Sequence, residues 1–148
     1  MNQSNHILND LVSATRDGKE FYEYAATRVG SLELEALFVR LANVKGDIVD
    51  GLSDEVRAAG GKPAKKGTWA GDYNRFYGEV RAHLGDKDYA YVAQLEESYD
   101  QLLKAFDRAL KDDELTTSAR TVIVSLLPEV RSCHDIMRAH KKALKKAA

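Results

Sequence analysis

The sequence predicts an all-α fold: four long helices forming a bundle of two hairpins, joined by a long connector that carries a short helix of its own. Three observations carry that expectation. Apolar residues recur at three- and four-residue steps over four segments of helical length. The composition favours helix, with only two prolines, 8% aromatics and abundant Ala, Leu, Glu, Lys and Arg. Finally, two of the three gaps between the long segments are tight turns, whereas the third spans about 27 residues, far beyond an ordinary helix–helix connection.

The first long helix is expected over about Ser4 to Arg28, where Ile7, Leu8, Leu11, Val12, Thr15, Gly18, Phe21, Tyr22, Ala25 and Val29 form one stripe. Gly30-Ser31 stops it, with Gly30 suited to a left-handed cap and the Ser31 hydroxyl able to accept from the N–H groups that open the next helix. The second helix runs from about Leu32 to Ala59 with Leu34, Leu37, Phe38, Leu41, Val44, Ile48, Leu52 and Val56 on its stripe, and ends at Gly60-Gly61. Gly46 and Gly51 lie inside it. Each costs roughly 1 kcal/mol against alanine, so they are expected where a neighbouring side chain approaches closely.

Six of the ten glycines, together with Pro63, fall between residues 60 and 85, which marks the connector. Trp69, Tyr73, Phe76, Tyr77, Val80 and Leu84 recur there at helical spacing, so a short helix over about Asp72–Leu84 should dock this crossover onto an apolar surface. The aromatic set is read as the staple that holds it. The third long helix is expected over about Asp88 to Lys111, on Val92, Leu95, Tyr99, Leu102, Leu103, Phe106 and Leu110. After the turn Asp112-Asp113-Glu114 the fourth runs from about Leu115 to Leu144, on Ala119, Val122, Ile123, Leu126, Val130, Cys133, Met137 and Leu144. Pro128 has no N–H for the carbonyl four residues back, so a kink, or a fresh helix starting at Ser125 to Pro128, is expected there.

Topology follows from the connector. A 24-residue helix is roughly 36 Å long at about 1.5 Å per residue, and a crossover of about 27 residues holding a helix can traverse it. An up-down-up-down bundle needs no such traverse; hairpin, long crossover, hairpin is the ferritin-like arrangement. The expected organisation is one domain over residues 1–148 with the crossover at about 60–87.

Composition narrows the function. With 22 Lys plus Arg against 23 Asp plus Glu the net charge is −1, which argues against a nucleic-acid binder. The lone Cys133 forms no disulfide framework, no apolar run reaches the length of a membrane span, and the N-terminus does not read as a signal peptide, so the expected compartment is the cytoplasm. No phosphate-loop, dinucleotide or nucleophile-elbow signature occurs. Lys141, Lys142, Lys145 and Lys146 form a basic tail that complements a helix C-terminus.

Ferritin-like bundles that hold two metal ions set a Glu on each of two helices and Glu-x-x-His on each of the other two, because hard ions take oxygen and imidazole donors and i, i+3 spacing puts both on one face. No Glu-x-x-His occurs in this chain. What remains for iron or manganese is a partial set: Glu20 on the first helix, Glu96 and Asp100 on the third, and Glu129 and His134 on the fourth. Asp47 and Asp50 on the second helix have no histidine beside them. Glu129 and His134 are five residues apart, about 140° around a helix, and cannot chelate as a pair. The favoured reading of the carboxylates is solvation or pairing with Lys or Arg, and of His134 a hydrogen-bonded boundary histidine. His6, His83 and His140 read as surface residues, and Cys133 as a small buried hydrophobe.

The order of signals resembles a family of bacterial ferritin-like four-helix-bundle proteins catalogued as a domain of unknown function. The resemblance covers nearly the whole chain. It rests on Leu8-Asn9-Asp10-Leu11, Asp17-Gly18 with Tyr22 and Ala25-Ala26, and Leu34-Glu35-Ala36-Leu37-Phe38. Further on it takes in Gly60-Gly61, Asn74-Arg75-Phe76-Tyr77, Glu96 with Asp100, and His134-Asp135. The third helix departs from that family's pattern: Tyr99 stands where the family carries a further Glu, and a phenol of pKa about 10 is a poor ligand at neutral pH. The resemblance implies the fold and supplies no activity. The expected role is non-catalytic, in interaction or stress response, with a protein partner or self-association and no resident cofactor; a degenerate iron- or manganese-binding oxidase or store is the alternative.

Overall fold

The computed structural model describes residues 2–65 and 70–147, those of 70–75 as backbone only. Among the described residues there are five helices and no strand: α1 (Gln3–Ala26), α2 (Leu32–Ala58), α3 (Ala70–Ala82), α4 (Lys87–Leu110) and α5 (Thr117–Ala147). Each expected helix is present, with ends shifted by no more than three residues. No helix among them is long and apolar enough to cross a membrane.

The ends are set by local chemistry. Asn2 Oδ1 accepts from the Asn5 N–H to open α1, and the Ser31 hydroxyl accepts from the Leu34 N–H at 3.2 Å to open α2, as its place in the sequence suggests. At the other end of α2 the Gly61 N–H reaches the Val56 carbonyl and the Gly60 N–H the Arg57 carbonyl, both at 2.9 Å, with Gly60 at φ +83°. This paired closure around a left-handed glycine satisfies carbonyls the helix would otherwise leave bare. Gly30 is different from expectation: its φ is not positive, α1 closing instead at Thr27, and the Gly30 and Ser31 N–H groups donate to the Asp88 carboxylate at 2.9 and 3.1 Å. A tertiary partner thus replaces the left-handed cap.

Pro128 does not start a new helix; α5 runs through it unbroken. The carbonyl it leaves without a donor belongs to Val124, an exposed residue. Gly51 does admit a neighbour: a Cβ there would meet the Leu126 side chain of α5 at 3.4 Å.

Long-range contacts fix the connectivity. Ser4 and Thr116 are hydrogen-bonded, placing the start of α1 beside the start of α5, and Asp88 at the start of α4 caps the turn after α1. Ser118 of α5 meets Glu55 near the end of α2. Hence α1 is antiparallel to both α2 and α4, and α5 to both α2 and α4, and the crossover must return along the full length of the bundle. It does so against α1. Asn9 binds Lys62 and Ala64, Arg16 binds the Ala64 carbonyl, and Phe21 stacks on Phe76 with centroids 4.5 Å apart and planes 5° from parallel. Tyr24 packs against Tyr77 at 4.4 Å. Phe76 and Val80 are buried, as the staple reading requires; Trp69 and the Tyr73 side chain lie outside the described residues. Leu84, expected on the docked stripe, is fully exposed because α3 ends two residues earlier at Ala82. The result is a ferritin-like bundle of two hairpins and a helical crossover.

Candidate functional site

The core-facing positions of α2 step through Leu34, Phe38, Leu41, Lys45, Ile48 and Leu52 at alternating intervals of four and three, all of them buried. Lys45 therefore sits on the apolar seam, at the midpoint of its helix. Opposite it, α1 presents Gly18 at an equivalent core step between Thr15 and Tyr22. A Cβ on Gly18 would come within 2.5 Å of Lys45 Nζ, so the missing side chain is the space the lysine occupies. Sequence reading passed over Lys45 in favour of Val44, because a charged residue is discounted when a stripe is drawn. The signal was present as an unbroken seam with a lysine on it and a glycine facing it.

One side chain from each long helix meets at this level: Tyr22 of α1, Lys45 of α2, Tyr99 of α4 and Cys133 of α5. All four are buried, Tyr22, Lys45 and Tyr99 at 0% exposure. Lys45 Nζ lies 3.8 Å from the Tyr99 ring centroid and 5.7 Å from that of Tyr22, and the two rings meet edge-on at 5.5 Å. Nζ has no hydrogen-bond partner, the Tyr99 hydroxyl lies beside the Cys133 thiol, and the Tyr22 hydroxyl donates to the Leu95 carbonyl at 3.4 Å. Burial lowers the Lys45 amine from 10.5 to about 7, with the Cys133 thiol acting weakly the other way. Burial also raises the phenols of Tyr22 and Tyr99 well above their ordinary range, and raises the Cys133 thiol despite Tyr99, Lys45 and Arg40 nearby. At neutral pH this layer therefore holds two neutral phenols, a neutral thiol and an amine on the edge of ionising.

The polar residues singled out in the sequence lie elsewhere. Glu96, Asp100 and His134 come together where α4 meets α5: His134 Nε2 is 3.3 Å from Glu96 Oε1 and 3.7 Å from Asp100 Oδ1, and Nδ1 is 3.3 Å from Asp135 Oδ1. They floor a cleft of about 450 Å³ whose α5 wall carries Arg138, Lys141, Lys142 and Lys145. Glu20 and Glu129 are exposed and are not brought into this group.

Among the described residues no group of three or more His, Cys, Asp or Glu is disposed to hold a metal ion. The donor chemistry accounts for this. In the cleft the imidazole is turned onto the carboxylates, Lys104 Nζ is 3.0 Å from Asp100 Oδ2, and Lys141 Nζ is 3.7 Å from Glu96 Oε2. A divalent ion would have to displace these cations. At mid-bundle, iron or manganese would meet an amine, two phenols and a thiol, none of them anionic and none the carboxylate or imidazole such ions take. The residues present do not fit a pair of metal ions between the helices.

Comparison with known proteins gives a family and a fold. A family model described as a domain of unknown function (DUF2383) matches residues 3–112. A solved mutant of Mycobacterium smegmatis Dps1 is similar to this chain at 15% identity, covering 93% of this chain and 94% of that one with a TM-score of 0.75. A structure described as ferritin-like, diiron-carboxylate proteins from Bacillus anthracis str. Ames is similar at 12% identity, covering 99% of both chains with a TM-score of 0.63. At these identities the likeness shows the fold, a ferritin-like helical bundle. Comparison with curated proteins returned no match.

Proposed function

The chain belongs to the DUF2383 family, and from that premise we propose that it is a non-catalytic ferritin-like bundle acting by protein interaction, in a stress-response setting, rather than an iron or manganese oxidase or store. The observation that supports this reading is the mid-bundle layer of Tyr22, Lys45, Tyr99 and Cys133. Its likeness to a diiron-carboxylate protein ends at the fold, because the space between the helices is filled by an amine and aromatic rings. If the amine is protonated, a divalent ion about 4 Å away is opposed by roughly 8 kcal/mol at an effective dielectric of about 20. If it is neutral, the layer still provides no carboxylate.

The reading carries self-association with it: Leu32, Val39, Leu84 and Val124 are large apolar side chains left exposed on the described surface, available to a second copy or a partner. It also sets the protein in the cytoplasm, where a single buried thiol stays reduced. The test is titration of metal-free protein, in its native assembly, with Fe(II) and with Mn(II) by calorimetry and elemental analysis. No stoichiometric uptake is expected; two ions per chain would overturn the proposal. The convergence of Glu96, Asp100 and His134 favours a second reading, a carboxylate-rich cleft with one imidazole holding a divalent ion. Glu96→Ala and His134→Ala decide it, since unchanged metal content and Fe(II) oxidation would remove it.

A further inference from the structure

Lys45 and Gly46 on α2 face Lys19 and Gly18 on α1 in a reciprocal arrangement. A Cβ on Gly46 would lie 3.2 Å from Lys19 Cε, and one on Gly18 would lie 2.5 Å from Lys45 Nζ. Each helix thus offers its glycine to the other's lysine. The two lysines end differently. Lys19 lies over Gly46 at the surface with Nζ 2.9 Å from Glu23 Oε1, while Lys45 turns inward, fully buried and without a hydrogen-bond partner. The buried amine thus ends against the α1 backbone at Gly18, on the same seam where Lys19, the next residue of α1, reaches the surface.

We propose that Lys45 is a proton-operated latch on the α1–α2 seam: as the neutral amine it closes the mid-bundle, and on taking a proton it leaves past Gly18 and Gly46 and opens the two helices there. The surroundings favour that response, because among the described residues no carboxylate is paired with Nζ. From α1 it meets Gly18 and Tyr22, with Asp17, which has an interaction of its own, beside Gly18 and Lys19 of like charge on the seam. From α4 it meets the Tyr99 ring, and Glu96 is committed to His134 and Lys141. From α5 it meets Cys133, which burial keeps as the thiol, while Glu129 is on the surface; Arg40 on its own helix adds positive charge near Cys133. The faces of two phenol rings favour the ammonium, as does Cys133, and the rings hold it less firmly than a carboxylate would.

The latch has a defined pH window. The outward amine titrates at its ordinary 10.5 and the inward one at about 7, so the open state gains population as pH falls between these values and levels off below. Between pH 9 and pH 7 the gain is about 50-fold. Native-state hydrogen exchange on the full chain reads it directly. After correction for intrinsic rates, amides flanking Gly18 and Lys45 are expected to lose about 50-fold protection from pH 9 to pH 7, and Lys45→Met to keep its protection within a few-fold. A pH response shared equally by the variant, or none in the wild type, overturns the proposal. Titration of the Lys45 Nζ resonance in the wild type needs no variant: a midpoint near 7 supports the latch, and one near 10.5 overturns it. Neither readout depends on metal content, so failure here is distinguishable from failure of the non-catalytic reading.

Discussion

Replacing Lys45 by methionine keeps most of the side-chain volume on the α2 seam and removes the ionisable end. The unfolded chain holds this amine protonated up to about pH 10.5, while the folded chain holds it only up to about 7. Between those values the folded protein binds fewer protons than the unfolded one. Its stability therefore falls as pH falls through the window, and the loss is complete below 7. At about 1.4 kcal/mol per unit the full effect is roughly 5 kcal/mol, of which about 4 is felt at pH 7 and about 2 is regained by pH 9. Two losses in the variant oppose the gain. The ammonium's attraction to the Tyr99 and Tyr22 faces, up to about 2 kcal/mol in a dry site, goes with the amine. The atom-sized gap left against Gly18 costs about 1 kcal/mol. Lys45→Met should thus stabilise the fold by about 1–3 kcal/mol at pH 7 and by less at pH 9. Urea denaturation of both proteins at both pH values measures this, and the double difference cancels every other titrating group. A variant less stable than the wild type at pH 7, with the same pH slope, would refute the reasoning.

Three further outcomes follow from the same packing. Gly18→Ala should destabilise the wild type by about 1 kcal/mol, because its Cβ would meet Nζ at 2.5 Å, but stabilise the Lys45→Met background by up to about 1 kcal/mol through helix propensity; a double-mutant cycle in urea reads the change of sign. Gly60→Ala should cost about 1–2 kcal/mol, and since nothing lies within 4 Å of its Cβ, the loss comes from the backbone at φ +83° alone; Gly60→Asn should recover part of it in the same assay. Truncating Phe21 and Phe76 singly and together should give a coupling energy of about 1 kcal/mol for the stack that holds the crossover, and a cycle closing at zero would remove the staple.

Much of this architecture is legible in the chain because helical periodicity and end signals act within a few residues. The stripes from Leu8 to Ala25 and from Leu34 to Val56 mark their buried faces, and Gly60-Gly61 marks a left-handed stop that the structure contains. Gly30 carried the same local signal and behaves otherwise, because the carboxylate that takes its N–H belongs to Asp88, 58 residues along. Pro128 signalled a kink or a fresh helix start, and of these the fresh start does not occur: α5 continues through it, with the orphaned carbonyl on the exposed residue Val124. Among the candidate ligands, helical spacing placed Glu96 and Asp100 on one face of α4 but carried no information on which of them His134 would meet, or that Lys104 and Lys141 would already hold the carboxylates.

The sequence alone determined five helices, two tight turns and a return along the bundle long enough to be ferritin-like, because each depends on spacing, caps and chain length. Only the tertiary structure decided what fills the middle. A lysine on an apolar stripe turns outward by default, and Lys45 turns inward because Gly18, on another helix, leaves the volume and the Tyr99 and Tyr22 rings supply surfaces that tolerate its charge. That choice is made between helices, where the pattern of any single one is silent.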